Sequence, residues 1–188
     1  MLEAFASRLR AEVERPNENL DRYLSRFVRA DELKDASRVV SLYVLGLPDN
    51  INLLNAFLMA GKTPLVVKMF YASVLAYLLN PKDFLPEESY RLYGYLDDAY
   101  LVACALHRTL GHIPRSMREK QKDEIARMEA QRDLTAKVRD YLPPVVLEKL
   151  NAALDSFELA AFVICDQSKV GEVQSALGSR FSTLSDED

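Results

Sequence analysis

Residues 71–106 read YASVLAYLLNPKDFLPEESYRLYGYLDDAYLVACAL, and their reading decides the fold. Two apolar runs flank a polar connection, and an Asp-Asp pair stands where the second run begins. Neither run alternates as a half-buried strand would, and each is long enough for several helical turns. The first helix is expected from Thr63 to Leu79. Thr63 is placed as its N-cap and Pro64 at its first position, where a missing N–H costs nothing. Asn80-Pro81 disfavours continuation. The second helix is expected from Tyr95 to Leu110, with Gly111 and Pro114 as stop signals. Both are apolar around most of their circumference, which places them inside a bundle as a buried hairpin over residues 63–110.

The connection between them carries Pro81, Asp83, Pro86, Glu87, Glu88 and Gly94. Its length of about fifteen residues exceeds the roughly 2–8 usual between neighbouring bundle helices, and such loops are functional or braced by their own polar contacts. Asp97 and Asp98 fall in the first turn of the second helix, where unpaired N–H groups and the positive dipole end stabilise anions. Asp83 is placed to accept loop N–H groups or to cap a turn beginning at Phe84. Tyr77 and Arg91 are the candidate partners for what remains. In this reading the acids satisfy main-chain donors that apolar surroundings would otherwise leave bare. The alternative is a cation site. Asp83, Glu87, Asp97 and Asp98 are hard oxygen ligands suited to Mg²⁺, Mn²⁺ or Ca²⁺. Against a shared ion, Asp97 and Asp98 diverge by about 100° around a helix. No His-carboxylate pair of the di-iron type accompanies them.

The pattern AYLLNPKDFLP followed by GYLDDAYLVACAL resembles the YkvA-like domain, a bacterial family of unknown function. The matching residues are Tyr77, Pro81, Asp83, Pro86, Gly94, Tyr95, Asp97 and Asp98, within residues 65–110. Glu87 stands where the family usually has Asp, and SYRLY replaces a gap that commonly holds a further proline. The resemblance implies a helical hairpin and, for some relatives, an association with membranes. It brings no known activity.

Outward from the hairpin the period stays helical. Leu2, Phe5, Leu9 and Val13 form a stripe closed by Pro16, and Leu20, Leu24, Phe27 and Val28 form another. A third helix is expected from about Asp31 to Val44, stopped by Gly46 and Pro48, and a fourth from about Asp49 to Ala60. Residues 115–140 read as one long amphipathic helix through Met117, Ile125, Met128, Leu134 and Val138, available to a second subunit or to its own bundle. Pro143-Pro144 breaks it, and a last helix runs from about Val145 to Cys165, with a short one between Lys169 and Leu177. Strand and hairpin signals are nearly absent. The expectation is an all-α fold, a single multi-helix bundle of about seven or eight helices around the buried hairpin. The domain spans 1–180 and a frayed acidic tail 181–188.

Of the 188 residues 49% are apolar and 28% charged, a globular composition. A net charge of −4, with basic residues interleaved with acids, argues against a nucleic-acid partner. No apolar segment approaches the roughly 20 residues needed to cross a bilayer, and no secretory leader is evident. Cys104 and Cys165 lack ligand spacing and read as buried free thiols, so the expected location is cytoplasmic. Cys104 and His107, three residues apart, face one another on a helix. Neither a third orienting residue nor an oxyanion motif accompanies them, so a buried thiol and a helix-end histidine is the favoured reading. The tyrosines at 71, 77, 90, 93, 95 and 100 are expected chiefly to pack helices, with an interface as the alternative.

The leading functional expectation is a non-enzymatic interaction or self-association module, a homodimer included, with a structural Asp-rich hairpin and no cofactor. The alternatives are a carboxylate-metal enzyme using Asp83, Asp97 and Asp98, and a protein attached peripherally to a membrane surface, which the negative charge does not favour.

Overall fold

The computed structural model describes residues 2–14, 18–79, 84–85 and 87–166. Pro81, Asp83 and Pro86, the short helix expected between Lys169 and Leu177, and the tail 181–188 lie outside the described residues. What is described is an all-α multi-helix bundle with no strand among those residues. In chain order the helices are α1 (Leu2–Glu14), α2 (Glu18–Leu24), α3 (Leu33–Leu45), α4 (Leu47–Met59), α5 (Leu65–Leu78) and α6 (Glu87–Tyr90). A 3₁₀ turn (Arg91–Tyr95) leads into α7 (Leu96–Thr109), and a second one (Leu110–His112) leaves it. Three short helices, α8 (Arg115–Lys120), α9 (Lys122–Ala130) and α10 (Arg132–Arg139), precede α11 (Pro144–Cys165).

The two arms of the hairpin differ in depth. α7 packs against α3, α4, α5, α10 and α11, and Leu96, Leu101, Val102 and Leu106 are fully buried. Ala99, Ala103 and Ala105 keep that helix narrow, so neighbours approach closely. α5 buries one face, Val67, Phe70, Tyr71 and Val74, against α4, α7 and α11. Its ends are open: Leu65 is 62% exposed and Leu79, just beyond its last turn, 83%. An apolar circumference therefore marked the centre of the bundle for α7 and only a flank for α5.

Local expectations fail in four places, each for a tertiary reason or a mistaken cap. Thr63 does not cap α5. Its hydroxyl donates to the Phe57 carbonyl at 2.6 Å and lies 3.6 Å from the Met117 sulfur. It is thus a second donor to a carbonyl in the last turn of α4, which also accepts the Ala60 N–H at 3.4 Å. The second stripe ends early: α2 stops at Leu24 and Phe27 is 39% exposed. Gly46 is not a left-handed stop, since its φ is −78° and α4 starts at the next residue. A Cβ at Gly46 would land on the far end of the Gln131 side chain, which would have to move aside. The expected 115–140 helix is broken twice, at Gln121 and Gln131. Gln131 is pressed against Gly46 and accepts from the Asn50 side-chain amide at 3.4 Å. Met117, Ile125, Met128 and Val138 are all buried within the same chain, so this arc wraps its own bundle.

Candidate functional site

The first turn of α7 brings together most of the described motif residues. Tyr95 ends the 3₁₀ turn and offers no side-chain cap to α7. The carboxylate of Asp97 takes over that task. It is fully buried; its Oδ1 accepts the Asp98 N–H at 3.1 Å and its Oδ2 accepts the Leu85 N–H at 3.2 Å. Tyr77, on the last turn of α5, donates its hydroxyl to the same Oδ2 over a longer 3.4 Å, and its ring lies 5.7 Å from that of Phe84. One side chain thus joins α5, the loop at Leu85 and the start of α7. Backbone N–H groups are the natural partners of a carboxylate removed from water.

Asp98 takes another direction. It lines an apolar cleft of about 430 Å³ with Leu2, Phe5, Arg8, Leu47, Leu78 and Tyr95 among its walls. Arg8 donates to the Tyr95 hydroxyl and its guanidinium lies 5.8 Å from the Tyr95 ring centre, while Phe5 meets that ring edge-on at 5.7 Å. The two acids, adjacent in sequence, therefore serve a loop clamp and a cleft wall. No group of three His, Cys, Asp or Glu among the described residues is placed to hold a metal ion. Glu87 opens α6 and Gly94 is buried in the 3₁₀ turn, where its φ is not positive. Arg91 carries the strain instead, at φ 52° on the surface as the first residue of that turn.

The tyrosines pack and reach polar partners. Tyr23 stacks on Tyr93 at 5.4 Å and tilts against Tyr90 at 4.6 Å, and the Tyr93 hydroxyl donates to the Tyr141 carbonyl at 2.6 Å. Tyr71 and Thr109 share a hydrogen bond of 2.5 Å across α5 and α7, and burial pushes the Tyr71 phenol up to about 12 although Thr109 pulls the other way. Burial likewise raises Tyr43, Tyr93 and Tyr100.

Cys104 and His107 do line one depression on the far half of α7. Burial pushes the thiol up, against the opposing pull of Tyr100 and Arg108, and holds the imidazole below its usual value with Arg132 adding to the effect. A raised thiol is a poor source of thiolate, which speaks against a nucleophile. The apolar cleft was missed by sequence reasoning because α1 and α4 supply half of it, and no local pattern reports that they meet α5 and α7.

Fold and site together define a helical hairpin domain clamped by a buried aspartate. Residues 67–104 match the family described as "Protein of unknown function (DUF1232)", from Val67 on α5 to Cys104 on α7. The YkvA-like resemblance agrees with a bacterial domain of unknown function. The match covers most of α5, the connection, and the first nine residues of α7. Neither the curated proteins nor the solved structures contain a significant match.

Proposed function

We propose that this chain is a non-enzymatic, self-associating module of the cytoplasm. In it the Asp97 clamp is structural and the cleft beside Asp98 receives an apolar side chain from a second copy. The observation that carries the reading is the cleft itself: about 430 Å³, walled by leucines and Phe5, with a few polar groups at its edge. Such concave apolar sites with sparse polar groups are the usual form of binding sites. The chain also supplies exposed apolar side chains of the kind that would enter it, among them Val145 at 61% exposure and Leu159 at 65%. Leu79 stands at the rim, largely in solvent. The oxygens of Asp97 already meet main-chain amides, which supports the scaffold over a cation site. Light scattering behind gel filtration tests the proposal. The expected result is a mass above the monomer at micromolar concentration, returning to the monomer in Leu79→Lys. A wild-type chain that stays monomeric throughout overturns self-association.

A further inference from the structure

Beyond the acid corner, α7 borders a second and chemically different depression, of about 360 Å³, shared with α10 and α11. Tyr100, Cys104, His107 and Arg108 line it from α7, and Arg132 and Arg139 from α10. The positions 100, 104 and 108 are one turn apart each, and 132 and 139 two turns apart, so each set shares a helix face. The lining holds three guanidinium groups and an imidazole but no carboxylate, in a chain whose 28 acids outnumber its 24 bases.

The neighbouring acids pair with two of the three guanidinium groups. Arg108 donates to Asp155 at 2.6 Å and to Glu158 at 3.2 Å, and Arg139 lies 3.6 Å from the exposed Asp140. Arg132 forms no ion pair among the described residues, and Glu129 is the acid that faces His107. The second observation is at His107. Its Nε2 is buried and meets no hydrogen-bond partner among the described residues. A buried polar atom left so is costly and marks a place where a partner is expected.

We propose that this depression binds the phosphate group of an anionic ligand, with Arg132 and Arg139 as charge partners and His107 Nε2 donating to one oxygen. Guanidinium forks match oxyanions in geometry as well as charge. Phosphate fits better than a carboxylate because two forks and an imidazole together need more than two acceptor oxygens. The site lies apart from the cleft at Asp98 and does not depend on self-association.

The test uses the full chain and inorganic phosphate, with chloride at equal ionic strength as reference. The expected result is a saturable rise in Tm and a shift of the His107 imidazole resonances. Arg132 and Arg139 are exposed, so the Arg132→Ala/Arg139→Ala variant is expected to melt like the wild type without phosphate. It should also bind phosphate more than about tenfold more weakly. If that variant does not fold, Arg132→Gln carries the same comparison. Flotation with phosphatidic-acid vesicles separates the sources. Arginine-dependent flotation assigns a lipid headgroup, and a phosphate shift without flotation assigns a soluble ligand. No saturable shift over chloride together with no flotation, or an effect that survives loss of the arginines, overturns the proposal.

Discussion

The two ends of α7 handle charge in opposite ways. At the start, Asp97 is fully buried and its oxygens meet two main-chain amides and a tyrosine hydroxyl. At the end, Arg108 lies at the surface and is answered by Asp155 and Glu158, both largely in water. A carboxylate can be drawn inside where orphan donors of a helix start and a loop converge. A guanidinium near a helix C-terminus already has a favourable dipole and solvent, and gains little by burial. The same helix is thus fixed at one end by a buried anion and left chemically accessible at the other.

That contrast can be broken by substitution, beginning with the largest effect. Asp97→Ala strands the Leu85 N–H in an apolar setting and removes a charged acceptor, so a loss of about 2–4 kcal/mol is expected in urea unfolding. Asp97→Asn keeps an acceptor oxygen and should lose less. If Asp97→Ala matched the wild type, the buried end would be no more demanding than the exposed one. Between the ends, Tyr71→Phe removes the bond to Thr109 and should cost about 1 kcal/mol near neutral pH.

The same tyrosine makes an alkaline prediction. Its phenol is raised from 10.0 to about 12 in the folded chain, so the native state favours the neutral form. That stability is fully present below the unfolded value of 10.0 and is lost as pH rises toward about 12. Tyr43, Tyr93 and Tyr100 shift in the same direction and steepen the fall. Thermal melts across this window should show Tyr71→Phe with a shallower decline than the wild type.

Smaller effects sharpen the comparison at the margins. Arg91→Gly relieves a positive φ at the first residue of the 3₁₀ turn and should stabilise by about 0.5–1 kcal/mol, since glycine adopts that region freely. Arg108→Ala breaks only two surface ion pairs, to Asp155 and Glu158, and should cost less than about 1 kcal/mol, an effect that shrinks further in salt. Equal losses for Asp97→Ala and Arg108→Ala in chemical denaturation would erase the distinction.

Much of the bundle was legible because α1, α3, α4, α7 and α11 each carry a helical period with glycine or proline near an end. The divergence of Asp97 from Asp98 was also legible, since neighbours on a helix cannot point the same way. What was hidden arises from contacts distant in sequence. Gln121 and Gln131 are ordinary helix formers, and for Gln131 the fit against Gly46 and Asn50 marks the break. Thr63 looked like the start of α5, yet its hydroxyl turns back to α4. The partner of Asp97 was foreseen as a class, main-chain N–H, but Leu85 as the donor could not be named from spacing. The cleft needed α1 packed on α4 with the end of α5 as a further wall, and the arginine-lined depression needed α10 beside α7.

Native-state hydrogen exchange at the Leu85 amide tests the clamp most directly. If that N–H is held by the buried Asp97 carboxylate, it should exchange only through large openings, with protection close to that of the α7 core amides. An amide at Leu85 that exchanges as fast as those of exposed loops would contradict the account.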